Sequence, residues 1–242
     1  MVRDVIIGAF EMPLAHNTEH KSEGRIMKVS SLRLALPTAI LAIVFAATGR
    51  ADDTRTADFS RQGLQAKIEY CTTCHGISGQ GYHGFYPIPR LAGQQTEYIE
   101  NQLQAFIEHR RENRYMYSVA HVLSPTMRTA LAKHFSKLNP RPLGGAPKGL
   151  IAAGKKIYED GIPETNVPAC MACHGAEAKG QEAIPRLAGQ LNDYIVNKLA
   201  NWNKERGQIP SRPDISAIML PTSHNLTKAQ VAAVAAYVGR LQ

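Results

Sequence analysis

The 242-residue chain has no long apolar run, no stretch of alternating apolar and polar residues, no basic run interleaved with aromatics, and only four cysteines. Its longest apolar segment, Leu34 to Thr48, spans 15 residues and contains Pro37; a membrane-spanning helix needs about 20, so a retained anchor is the weaker reading. The missing alternation argues against a sheet. The formal net charge is +8, but without clustered Lys and Arg among aromatics nucleic-acid binding is unsupported. Ordinary apolar content excludes disordered and collagen-like chains and leaves one large domain or two small ones.

Basic residues Arg25, Lys28 and Arg33 precede the apolar segment, and small residues Gly49 and Ala51 follow it. This is the layout of a secretory signal peptide, with cleavage expected after Ala51. Met27 offers an alternative start close to that basic region, which would make residues 1–26 an extension. Removing residues 1–51 takes six basic and four acidic side chains from totals of 28 and 20, leaving 22 against 16 and a net charge of +6.

What the chain does contain is a duplication. Ile88–Gln94 reads IPRLAGQ, and Ile184–Gln190 reads IPRLAGQ again. At the same offset of 96, Tyr98 pairs with Tyr194, Ile99 with Ile195, Leu103 with Leu199 and Phe106 with Trp202. The cysteine pairs match at offset 99 and a downstream segment at offset 103, so length differences fall between elements. Between the copies, residues 139–149 hold three prolines and three glycines, which marks a linker. The expected organisation is 1–51 extension and signal peptide, 52–138 first domain, 139–149 linker and 150–242 second domain.

Within each copy the apolar spacing is helical: Tyr98, Ile99, Leu103, Phe106 and Ile107 share a face, as do Tyr194, Ile195, Leu199 and Trp202. A last helix is announced by Ser124 before Pro125, and by Thr227 with Gln230 three residues on. An all-α fold follows.

Cys71-Thr72-Thr73-Cys74-His75 and Cys170-Met171-Ala172-Cys173-His174 both read C-x-x-C-H, the attachment signal for haem c. On one helical turn, i, i+3 and i+4 share a face, so two thiols reach the two vinyl groups while the histidine lies under the iron. Zinc, a redox dithiol and two short disulfides also use paired cysteines. None of them requires a histidine directly after each second cysteine.

The sixth ligand is expected downstream. Met116 pairs with Met219, each seven residues before a Leu-Ser or Leu-Thr helix start. Met127 aligns with Gln230 inside the last helix and reads as core packing. His121 aligns with His224, so bis-histidine ligation stands as the alternative. His83, His109 and His134 have no counterpart and read as surface residues. A thioether opposite histidine raises the reduction potential, and two six-coordinate irons leave no open position for catalysis. A carbonyl of Pro89 or Pro185 could accept from the axial histidine Nδ1, or each proline could simply stiffen a turn. Arg90 and Arg186 suit haem propionates, or lie in solvent.

C-x-x-C-H-G, then PRLAGQ, then a helix with Tyr, then Met seven residues before Leu-Ser or Leu-Thr, in duplicate, resembles the cytochrome c4 family over nearly all of residues 58–242. The resemblance implies two tandem class I cytochrome c domains with two covalently bound haem c groups. It puts His75 and Met116 on the first iron and His174 and Met219 on the second, with thioethers from Cys71, Cys74, Cys170 and Cys173. It also implies propionate edges facing each other across the interface. The implied role is periplasmic single-electron transfer between redox proteins, including terminal oxidases, in solution or at the periplasmic face of the inner membrane. Two departures stand out: the aromatic loop Tyr82, His83, Phe85 and Tyr86, and seven extra residues between Trp202 and Met219. The competing roles are a cytochrome subunit of a dehydrogenase, such as a sulfide-oxidising flavocytochrome, and a haem enzyme or gas sensor. A haem group completing so small a core further implies that the haem-free chain is mostly unfolded.

Overall fold

The computed structural model describes residues 60–206 and 215–242, all within one compact unit. The signal-peptide reading and the boundary at residue 51 lie outside the described residues. Among the described residues the architecture is helical, and the only strand-like pairings are three isolated bridges, Tyr82 with Ile88, Ile162 with Val167 and Gln181 with Ile184.

The first half comprises α1 (Arg61–His75), α2 (Thr96–Ile107), α3 (Arg114–Ala120) and α4 (Pro125–Ser136). Ser60 caps α1 by accepting from the Gly63 N–H, and Ser124 caps α4 by accepting from the Met127 N–H. Helix α2 packs on α3 and α4, and α1 on α4. The apolar face expected on α2 is buried through Ile99, Leu103 and Phe106, which meet Ile68, Leu123, Leu131, Phe135 and a fully buried Met127. Met127 is therefore core, as its place in α4 suggested.

The second half comprises α5 (Ile151–Asp160), α6 (Met171–His174), α7 (Asn192–Ala200), α8 (Trp202–Glu205), α9 (Met219–Asn225) and α10 (Lys228–Val238). Thr227 and Gln230 form a reciprocal capping box at the start of α10. Six consecutive residues of α10, Ala233 to Val238, are buried, which places this helix at the centre of its half against α5 and α7. Gly154 permits the α5–α10 approach: a Cβ there would stand 1.9 Å from the Ala233 carbonyl oxygen.

One element differs from the helical faces read in the sequence, and one breaks the symmetry of the two copies. The second copy's face does not run to Trp202 in one helix, because α7 ends at Ala200 and α8 begins at Trp202. Asn201 stands where the first copy has Ala105, and its side-chain amide donates to the Asn197 carbonyl, an alternative to continuing the helix. The stretch before the second cysteine pair is also broken. Where α1 runs without interruption into Cys71, α5 stops at Asp160 and a loop with Gly161, Pro163 and Pro168 leads to Cys170.

Candidate haem sites

The first C-x-x-C-H segment is the end of a helix, and the second is a short helix by itself. Cys71, Cys74 and His75 form the last turn of α1; Cys170 caps α6, which carries Cys173 and His174. All four thiols are free, with Cys74 and Cys173 exposed and Cys71 and Cys170 half-buried. Burial pushes the thiols of Cys71 and Cys170 up to about 11, so both are protonated at neutral pH. No disulfide forms within either pair.

After each histidine the chain turns at a positive-φ glycine, Gly76 or Gly175, and folds back. The Leu91 and Ala92 N–H groups both donate to the Gly79 carbonyl, and those of Leu187 and Ala188 both donate to the Ala178 carbonyl. The fold-back places a proline carbonyl on each buried imidazole: His75 Nδ1 lies 2.9 Å from Pro89 O, and His174 Nδ1 lies 2.9 Å from Pro185 O. A carbonyl only accepts, so Nδ1 carries the proton. Burial holds both rings below the usual histidine range, and the neutral tautomer that results offers its Nε2 lone pair to a metal.

Met116 lies half-buried in α3 against the first core, its N–H accepted by Asn113. Met219 opens α9, also half-buried. The competing histidines are exposed: His121 is held over Tyr117, bonded to its carbonyl at 3.0 Å and stacked on its ring, while His224 contacts Asn203.

Arg90 and Arg186 are buried, 3% and 8% exposed, so the solvent reading fails for both. Each Nε donates to a carbonyl two residues on, Ala92 or Ala188, at 2.9 Å. Arg90 also donates to Pro140 O in the linker. Yet Arg90 Nη1 and Arg186 Nη2 are buried without a partner. Burial and the nearby Arg186 bring the Arg90 guanidinium down to about 10, so it remains charged at neutral pH. Two buried cations with orphan donors fit the carboxylates of two haem propionates. With free paired thiols and neutral imidazoles, the residues present suit two haem c groups.

Several residues that spacing alone did not single out join the halves. Gln94 Oε1 accepts from the Arg186 N–H and its Nε2 donates to the Arg186 carbonyl, at 2.7 and 3.0 Å. Gln190 treats Arg90 identically, at 2.8 and 3.0 Å. Recurrence of the last letter of IPRLAGQ was the available signal. Beside this exchange, Gln102 Oε1 accepts from Arg111 at 2.7 Å and from Arg206 at 2.8 Å, and Arg111 also donates to Tyr194 Oη. His83, expected at the surface, keeps its side chain 37% exposed there and also bonds Asp193 at 2.9 Å across the halves. The loop around it stays in solvent, with Tyr82, Phe85 and Tyr86 exposed.

The family model for cytochrome c matches residues 64–140 and 151–242. The chain is 36% identical over 172 residues to cytochrome c4 of Thiocapsa roseopersicina, covering 69% of this chain and 85% of that one. It is also 36% identical over 172 residues to a thiosulfate dehydrogenase electron acceptor of Thiomonas intermedia (strain K12), covering 69% and 76%. The solved structure of cytochrome c4 from Acidithiobacillus ferrooxidans superposes with a TM-score of 0.62 at 36% identity, covering 72% of this chain and 99% of that one. With two cytochrome c domains, two C-x-x-C-H sites and likeness to cytochrome c4 over 69% to 72% of its length, the chain belongs to the cytochrome c family, in its cytochrome c4 branch, and is an electron-transfer protein with two covalently bound haem c groups.

Proposed function

We propose that this protein is a periplasmic single-electron carrier with no bond-making chemistry of its own, built of domains 52–138 and 150–242 joined by linker 139–149. Residues 1–51 are an N-terminal extension and signal peptide, of which the basic and apolar segment serves export. Cys71 and Cys74 hold one haem and Cys170 and Cys173 the other. His75 with Met116, and His174 with Met219, ligate the two irons. Bound haem supplies a reversible one-electron change, with the thioether favouring the ferrous state.

The observation that carries this reading is the doubled histidine–proline bond, at 2.9 Å in each half. It fixes the tautomer and aims Nε2, which a structural histidine would not need twice. Arg90 and Arg186 offset propionate charge, and the Gln94 and Gln190 exchange sets how the two halves meet. A carrier of this kind passes electrons from a dehydrogenase towards an acceptor such as a terminal oxidase, free or at the periplasmic face of the inner membrane. Likeness to a protein named a thiosulfate dehydrogenase electron acceptor favours a sulfur-oxidising dehydrogenase as donor.

The test is haem stoichiometry with near-infrared spectroscopy. Two haems per chain and the weak ferric methionine-to-iron band are expected, halved in Met116→Ala, halved in Met219→Ala and unchanged in His121→Ala. One haem per chain, a band lost in neither methionine variant, or carbon monoxide binding to the native ferrous protein would overturn the reading.

A further inference from the structure

Duplication makes each half a control for the other, and the loop that follows the first C-x-x-C-H segment has no equal in the second. Six residues separate Gly81 from Ile88, where three, Gln181, Glu182 and Ala183, separate Gly180 from Ile184. The Tyr82–Ile88 bridge closes the longer loop into a hairpin, paired by two backbone hydrogen bonds of 3.0 and 2.9 Å. At its tip Phe85 is 90% and Tyr86 79% exposed, and their rings pack edge to face on each other at 4.8 Å. Haem bound at His75 leaves them uncovered. The hairpin leads into Pro89, whose carbonyl holds His75 Nδ1, so it lies behind the imidazole, opposite the Nε2 offered to the iron. The linker runs alongside: a Cβ on Gly145 would stand 3.5 Å from His83 Nε2, and Leu143 is 46% exposed. Large apolar groups held in water on one copy, and absent from the same place on its twin, mark a surface that something covers.

Charge and shape select the occupant. The chain has no Asp or Glu from residue 70 to 96 or from 113 to 158, and Asp193, which meets the hairpin from the second half, is held by His83. Arg141 and Lys148 of the linker are exposed. A second copy on this face would press these cations against their own images. A redox protein docked there would meet the far side of the imidazole rather than the porphyrin. Two rings at a projecting tip form no groove for a partner's side chain, whereas a bilayer interface takes up aromatic rings without a matching pocket. We infer that the Phe85–Tyr86 tip and the basic linker beside it form a peripheral docking surface for an anionic phospholipid bilayer. The rings enter the headgroup region, with the Tyr86 hydroxyl kept in water, while Arg141 and Lys148 face lipid phosphates. The inference rests on the electron-carrier reading, through which the hairpin is placed relative to the haem.

The test is co-sedimentation of the two-haem holoprotein with phosphatidylcholine vesicles, with and without phosphatidylglycerol. Haem content and reversible reduction of both haems are checked first; failure there sinks the electron-carrier reading itself, whatever the vesicles do. Binding is expected with phosphatidylglycerol and not without it. Phe85→Ser with Tyr86→Ser is expected to weaken that binding about tenfold. Arg141→Gln with Lys148→Gln is expected to weaken it at low salt, with the loss shrinking as ionic strength rises. Both reduction potentials and the haem content stay unchanged in the two double variants, since none of the four residues touches the haem sites. With haem intact, no sedimentation with anionic vesicles overturns the inference, as does equal sedimentation with neutral ones. So does full binding by the Phe85 and Tyr86 variant, since attachment would then lie elsewhere in the chain. A concentration-dependent dimer that this variant abolishes overturns it too, because the occupant would be a second copy.

Discussion

Arg90 and Arg186 are the residues at which chemistry and burial conflict most openly. Each guanidinium is buried, each has an unpartnered nitrogen, and each is held by a carbonyl two residues on. A cation beside a haem disfavours the ferric state, which carries one more positive charge. Removing it should therefore lower the reduction potential. Arg90→Gln is expected to lower one of the two potentials and Arg186→Gln the other, measured by spectroelectrochemical titration of the holoprotein. Identical shifts of both potentials in either variant would show that the guanidiniums act only on the fold. Because the Arg90 guanidinium sits at about 10, lowered by burial and by Arg186, its charge is present throughout the neutral range. Its contribution is expected to be constant from about pH 6 to 8.

Among the helices, α10 carries the second half's core, and Gly154 on α5 is the position at which that core has no slack. A methyl group there would overlap the Ala233 carbonyl, and backbone cannot rotate aside as a side chain does. Gly154→Ala is expected to lower stability by about 3 kcal/mol, against the small gain that alanine brings to an unconstrained helix. Urea unfolding of the holoprotein measures this, and a neutral or stabilising result would mean that α5 and α10 do not pack so closely. At the start of α10, Thr227→Ala removes a hydrogen bond to the Gln230 N–H and is expected to cost about 1 kcal/mol. The two differ in kind: the glycine governs the distance between helices, the threonine the end of one.

At the scale of the whole molecule, buried polar groups join the halves. Gln94 and Gln190 each satisfy both backbone groups of an arginine in the opposite copy. Gln102 then gathers two buried guanidiniums, Arg111 and Arg206, one from each half, onto a single oxygen. Gln102→Leu strips that oxygen from two buried cations and is expected to cost about 3 kcal/mol or more, read as a lower midpoint in thermal unfolding. Gln102→Glu places a carboxylate between the same two cations and is expected to raise the midpoint instead. Equal midpoints for both variants would show that the pair is not held through residue 102. The two cores are also small and separate, one per half. A domain of this size gains much of its stability from a covalently held, largely apolar group that completes its interior. The haem-free chain is expected to show little native helix by far-ultraviolet circular dichroism; native-like helicity without haem would contradict this.

Covalent spacing and local chemistry are written along the chain, and these the sequence by itself determined: the duplication, the all-α fold class, the Ser124 and Thr227 caps, and the two C-x-x-C-H turns. Each depends on neighbours within about four residues, or on a repeat that can be read letter by letter. The histidine–proline bonds lay within reach of the same reading, since Pro89 and Pro185 occur in the repeated heptapeptide, though a rigid turn explained them equally well. Tertiary structure alone decided the rest. The exchange of Gln94 and Gln190 spans 92 and 100 residues of chain, and no local periodicity encodes a partner at that distance. Arg90 and Arg186 read either as propionate partners or as solvent-facing cations until burial rules out the second, and nothing near His83 in the chain announces its bond to Asp193. The break between α7 and α8 turned on one asparagine in place of alanine, a difference of a few tenths of a kcal/mol in propensity that only its bond to the Asn197 carbonyl made decisive. Burial and long-range pairing are properties of the folded chain as a whole, so the sequence specified the chemistry of each site and the tertiary structure decided how the two sites meet.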